Sequence, residues 1–101
     1  MELKIEERRR NPLLRREEIR ATVSFEGGTP TRREVREALA KALGKDVGVV
    51  FVRRVLTEYG ARRARVLAMA YDDRDYALQI EPEHVIRKNE GAGGEGGDQA
   101  S

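Results

Sequence analysis

"EIRATVSFEGGTPTRREVREALAKALG", residues 18–44, changes its hydrophobic period halfway along. From Glu18 to Glu26, Ile19, Ala21, Val23 and Phe25 alternate with Glu18, Arg20, Thr22, Ser24 and Glu26, the period of a strand with one face in a core. Gly27-Gly28-Thr29-Pro30 breaks the strand. From Thr31 the period becomes helical: Val35, Ala38, Leu39, Ala42 and Leu43 form one stripe. Thr31 is placed as N-cap with Glu34 completing a capping box, and Gly44 is the stop.

Outward from this unit, Leu3 and Ile5 alternate with Glu2, Lys4 and Glu6, predicting a first strand. After the helix, Val47 to Glu58 is apolar on both faces, with Val49, Phe51 and Val55 on one and Val50, Val52 and Leu56 on the other. Such a strand is expected at the centre of a sheet. Tyr59-Gly60-Ala61 turns into a fourth strand, Arg62 to Tyr71, which sets Val66, Ala68 and Ala70 against Leu67, Met69 and Tyr71. A short helix follows, with Asp72 as N-cap, Asp75 at its third position and an end before Pro82. Pro82 to Lys88, carrying Val85 and Ile86, is available to cover the second face of the sheet. The expected fold is α+β, a four-stranded antiparallel sheet with two helices in the order strand, strand, helix, strand, strand, helix. Residues 1–88 form a single domain in this reading, and 89–101, with five glycines and no large apolar side chain, a disordered Gly/Glu-rich tail.

The chain of 101 residues suits one core. It contains no cysteine, which excludes disulfides and thiolate metal sites and agrees with a reducing, cytoplasmic setting. No apolar run approaches the length of a membrane span, and the N-terminus reads Met1-Glu2-Leu3-Lys4 where a signal would be apolar. Lys and Arg total 20 against 18 Asp and Glu, but residues 1–88 carry a net charge of +5, mostly as arginine. The guanidinium fork grips phosphate in a bidentate way that lysine cannot match.

Catalysis finds little support. His84 is the only histidine, and Ser24 and Ser101 are the only serines, so a nucleophile–base pair has few candidates. Asp72, Asp73 and Asp75 are compatible with a divalent cation, but their place at a helix start gives the plainer and favoured reading, satisfaction of the dipole and of free N–H groups. No cofactor and no metal is expected.

The arginine clusters carry more. Arg8, Arg9, Arg10, Asn11, Arg15 and Arg16 surround a turn at Asn11-Pro12, with Leu13 and Leu14 anchoring it. Arg62, Arg63 and Arg65 open the hairpin after Gly60, Arg53 and Arg54 lead toward it, and Arg87 and Lys88 end the last element. Several guanidiniums converging on one polyanion would bind folded RNA through its backbone. All five aromatics, Phe25, Phe51, Tyr59, Tyr71 and Tyr76, are mostly assigned to the core, so base stacking is expected to be minor. Two other readings remain: a protein-interaction module that docks a partner on a two-sided apolar sheet, and a metal-dependent enzyme using the aspartates.

"NPLLRRE", "TPTRREVREALAKALG", "VRRVLTEYGARRAR" and "AYDDRDYALQIEPEHVIRKN", in this order and spacing, resemble the archaeal and eukaryotic 24e family of small-subunit ribosomal proteins over residues 1 to about 89. The resemblance implies a non-enzymatic constituent of the small subunit, bound to small-subunit ribosomal RNA beside neighbouring ribosomal proteins, with no membrane partner and monomeric outside the ribosome. Ala61, Arg62, Arg63 and Ala64 stand where family members usually carry small residues and a serine. The Gly/Glu ending, in place of the basic extension of eukaryotic members, points to the archaeal type.

Overall fold

The computed structural model describes residues 1–90; the rest of the expected tail, 91–101, lies outside the described residues. The elements are β1 (Glu2–Asn11), β2 (Arg16–Ser24), α1 (Arg32–Leu43), β3 (Val50–Glu58), β4 (Arg63–Tyr71), α2 (Arg74–Ile80) and α3 (Glu83–Glu90). One antiparallel sheet runs in the order β1-β2-β4-β3. The α+β class and the four strands are as expected, but the helices described number three, not two. Glu81 precedes Pro82 and is therefore pushed to extended backbone (φ −71°, ψ 138°), which ends α2. The carbonyl of Pro82 then accepts from the N–H groups of Val85 and Ile86, and a new helix starts. Helix α3 also moves the domain boundary: Asn89 and Glu90, assigned by the sequence to the tail, are its last residues.

Helix α1 begins in the expected capping box. The Glu34 N–H donates to Thr31 Oγ1 at 3.1 Å, and the Thr31 N–H donates to Glu34 Oε1 at 2.9 Å. It ends at Gly44, whose left-handed backbone (φ 70°) needs glycine. Its buried residues are Val35, Arg36, Leu39, Ala40 and Leu43, so the stripe is rotated from the expected one and Ala42 is exposed. This face packs on Ile19, Ala21 and Val23 of β2, Val50 and Val52 of β3, and Val66, Ala68 and Ala70 of β4. Full burial of a side chain such as Leu39 or Ile19 contributes about 1.5–3 kcal/mol. The opposite sheet face carries Phe51, Met69 and Tyr71 under Ala77 of α2 and Val85 of α3. That layer covers only one end of the sheet.

Two bulges shape what the sheet presents. The pairing register shifts between Ile5 and Glu7 in β1 and between Val52 and Arg54 in β3. Each extra residue reverses the inside–outside phase beyond it. Val55 therefore joins Val50 and Val52 against the α1-side core, and Leu56 is exposed, so the expected face assignments of Val55 and Leu56 are exchanged. Strand β3 is also an edge strand, not a central one. Its two apolar faces arise because helices cover both. It starts at Val50 instead of Val47, since Asp46 Oδ1 accepts from the Gly48 N–H at 2.8 Å and folds Val47–Val49 into a 3-10 turn.

The free edge of β3 is closed by side chains. The Asn89 amide accepts from the Val52 N–H at 2.8 Å and donates to the Val52 carbonyl at 2.9 Å, imitating a neighbouring strand. Arg36 donates from Nε to the Val50 carbonyl at 2.6 Å, and Arg32 donates to the Val52 carbonyl at 3.0 Å. Glu90 then accepts from Arg36 of α1 and from Arg74 of α2, clasping the three helices together.

A second polar network crosses the other core layer. Arg16 Nη1 donates to Tyr71 Oη at 2.9 Å, and Tyr71 Oη donates to Glu81 Oε2 at 2.6 Å. Arg53 donates to both carboxylate oxygens of Glu81, at 3.0 and 3.2 Å. Burial, and then the bond donated to Glu81, push the Tyr71 phenol up to about 12.

Asn89→Ala strands a buried N–H and is expected to cost about 2–3 kcal/mol in denaturant unfolding, with faster hydrogen exchange at Val52. Unchanged stability would show that this edge closure is dispensable. Because the folded state holds the Tyr71 proton up to about 12, above its ordinary value near 10, this contribution is complete below about pH 10 and disappears as pH rises through about 12. Denaturation midpoints should fall over that window in the native chain and fall less in Tyr71→Phe.

Candidate nucleic-acid interface

The pairing register fixes where the arginine clusters lie. In the β2–β4 ladder Arg16 faces Tyr71 at one end and Ser24 faces Arg63 at the other, which separates the two hairpins by about 27 Å at the rise of an antiparallel strand. The clusters around Asn11 and around Gly60 therefore sit at opposite ends of the sheet. They do not meet at one point, because antiparallel pairing of β2 with β4 turns the hairpins in opposite directions.

At the first end, Asn11 organises the turn: its Oδ1 accepts from the Leu14 N–H at 3.2 Å and its Nδ2 donates to Glu18 at 3.0 Å. The Asn11 bond, with a second from Arg16, holds the Glu18 carboxyl below its ordinary range. The two leucines diverge, since Leu14 is half-buried and Leu13 is 87% exposed. Arg15 adopts the left-handed region (φ 50°) and lays its guanidinium 4.8 Å from the centre of the Tyr76 ring. Arg8 pairs with Glu17 at 3.0 Å and Arg9 with Glu7 at 3.1 Å, both through exposed side chains. Arg10 makes a fork to Asp72 at 2.8 and 2.6 Å, and that bond holds the Asp72 carboxyl low. Arg16 is 8% exposed and committed to Tyr71 and Glu18. Its position is structural.

At the second end, Tyr59–Ala61 forms a 3-10 turn and Arg62 follows in the left-handed region (φ 52°). The turn is moored to the segment after β2, because the Phe25 N–H donates to the Arg62 carbonyl at 3.0 Å and Arg62 Nη1 donates to the Glu26 carbonyl at 3.3 Å. Glu58 accepts from Arg63 at 2.7 Å and pairs with Arg65 at 3.1 Å; the Arg63 bond and both positive charges hold its carboxyl low.

The part of the sheet face not covered by helices forms an open groove of about 550 Å³. Arg20, Arg54, Arg63 and Arg65 line it, together with Thr22, Leu56, Leu67 and the acidic Glu6. The β3 bulge puts Arg54 here: without the register shift it would share the face of Val52, under α1. Arg20 was absent from the arginine clusters that the sequence singled out. Its outward position in β2 was visible, but its neighbours across the sheet were not. Tyr59, in the turn, is 76% exposed.

The remaining candidates are dispersed. Arg53 is tied to Glu81, Arg87 pairs with Glu83 one helical turn away at 3.0 Å, and Lys88 is exposed near the end of α3. Among the aspartates, Asp72 holds Arg10 and Asp73, not Asp72, caps α2 through the Tyr76 N–H at 2.9 Å. Among the described residues no three potential metal-ligand side chains form a group. No helix among them is long and apolar enough to cross a membrane.

Comparison with known proteins agrees with the resemblance drawn from the motifs. The family described as ribosomal protein S24e matches residues 1–90. Small ribosomal subunit protein eS24 of Methanosarcina mazei is 38% identical over 95 residues, covering 94% of both chains. Its counterpart in Methanocaldococcus jannaschii is 40% identical over 89 residues, 88% of each chain. That of Pyrobaculum aerophilum is 44% identical over 87 residues, 85% of this chain and 72% of its own. With the match running from Met1 through the last residue of α3, this chain belongs to the ribosomal protein S24e family.

Proposed function

We propose that this chain is a non-enzymatic structural constituent of the small ribosomal subunit, at work with the ribosome in the cytoplasm, and that it grips folded ribosomal RNA at two separated places. Family membership supports the ribosomal role. The observation that carries the RNA contact is the open face, where Arg20, Arg54, Arg63 and Arg65 stand around one groove, with Glu6 in its lining and with Glu7 and Glu58 pairing three of the four at its rim. A ribose–phosphate backbone supplies the spaced negative charge that such a surface needs. The hairpin tip at Arg8, Arg9, Arg10 and Arg15 is the second contact. A left-handed backbone at Arg15 and Arg62, where glycine or asparagine would be less strained, supports a use for those side chains beyond the fold. Neighbouring ribosomal proteins are further partners, for which exposed Leu13 and Leu78 are available.

The protein-docking alternative required an apolar sheet face left bare. Helix α1 covers one face, and α2 with α3 covers the apolar end of the other, so the open remainder is the arginine-lined one.

Gradient fractionation of host lysate, probing for this chain at low and high magnesium, should show co-migration with the small subunit at both. A signal confined to light fractions would instead mean that the family fold serves elsewhere. In salt titrations with small-subunit ribosomal RNA, the combined Arg20→Ala, Arg54→Ala and Arg65→Ala change should reduce the slope of log affinity against log salt by about two to three. An unchanged slope would remove these residues as phosphate ligands. Arg16→Ala should leave the slope alone and lower thermal stability.

A further inference from the structure

We infer that Tyr59 is a stacking platform for an unpaired RNA base, a contact that rests on the RNA-binding reading and specifies what the second hairpin recognises. Of the five aromatic side chains, Phe25, Phe51 and Tyr71 are buried and Tyr76 is half-buried beside Arg15. Tyr59 is 76% exposed, at the tip of a turn.

That turn is a rigid mount. Its backbone is closed by the Arg62 N–H donating to the Tyr59 carbonyl at 3.2 Å, and is held against the segment after β2 by the Phe25 and Arg62 bonds. An aromatic ring presented this way loses little conformational entropy on contact. Beside it, a Cβ at Gly60 would meet no heavy atom within 4 Å, so the flank of the turn is open.

The surroundings select the ligand. A protein hot spot needs a ring of side chains that keeps water out, whereas Tyr59 is flanked in the chain by Glu58 and Gly60, with Arg62 and Arg63 just beyond. A base needs only one π-face, with cations near for its phosphate. Stacking on the ring and phosphate pairing at the guanidiniums would be adjacent, and no neighbouring apolar surface is required.

The test uses the full chain with two probes, a short RNA duplex and the same duplex carrying an internal bulge of unpaired nucleotides, read by fluorescence anisotropy across salt. The native chain should prefer the bulged RNA. Tyr59→Ala should lose about tenfold in affinity for the bulged probe while keeping its duplex affinity, salt slope and melting temperature; Tyr59→Phe should retain the preference. A native chain without preference for the bulge, or a Tyr59→Ala chain that keeps it, overturns the stacking role. If in either case the triple arginine variant still loses duplex affinity, the RNA-binding reading stands without it. Binding of both probes that is weak and insensitive to salt in the native chain would overturn both.

Discussion

The side chain of Glu81 has no solvent exposure, and a carboxylate in that position is tolerable only if its charge and lone pairs are met by fixed donors. Arg53 supplies a fork from β3 and Tyr71 a hydroxyl from β4, while Arg16, at the start of β2, donates to that hydroxyl in turn. Three adjacent strands are thereby referenced to the one residue that ends α2 ahead of Pro82. The position of α3 follows from that junction. So does the placement of Asn89 and Glu90, which lie at the far end of the same helix and close the edge of β3 and the helix clasp. A change at Glu81 would reach both the sheet and its covering.

Closing the β3 edge with side chains is an uncommon solution to a common problem. An edge strand exposes backbone groups that recruit other strands, and charged or covering elements normally blunt it. Here the amide of Asn89 and the guanidiniums of Arg36 and Arg32 take up the backbone groups of Val50 and Val52 directly. The cost is burial of Arg36, offset by Glu90 and by the Phe51 ring, whose centre lies 5.1 Å from the guanidinium.

The period change across Gly27–Pro30, the capping box at Thr31 and Glu34, and the stop at Gly44 are local signals, and each appears where the residues place it. The strands were legible for the same reason: alternation is written residue by residue. What the sequence concealed depends on partners distant in the chain. A bulge in β3 reversed the faces of Val55 and Leu56, β3 looked central because helices cover it twice, and Asn89 in a polar stretch became a buried strand mimic. At the candidate site, the exposed positions of Arg9 and Arg65 could be guessed from charge alone, whereas that of Arg54 depends on the β3 bulge. The engagement of Arg16 and Arg53 in the interior could not, since only the fold brings Glu81 and Tyr71 to them. Arg20 belonged to the groove through cross-strand pairing with Leu67, which no local pattern announces.

The opposed placement of the two hairpins sets two arginine-bearing ends at a defined separation. The β2–β4 ladder between them spans about 27 Å at the rise of an antiparallel strand. For a polyanion folded so that two of its segments lie that far apart, engagement at one end raises the effective concentration of the other, and weak contacts combine into avidity. For a flexible or differently folded chain no such gain exists. A protein of this shape would therefore discriminate between correctly and incorrectly folded partners by distance, without reading any base, acting as a gauge whose length is set by the β2–β4 ladder.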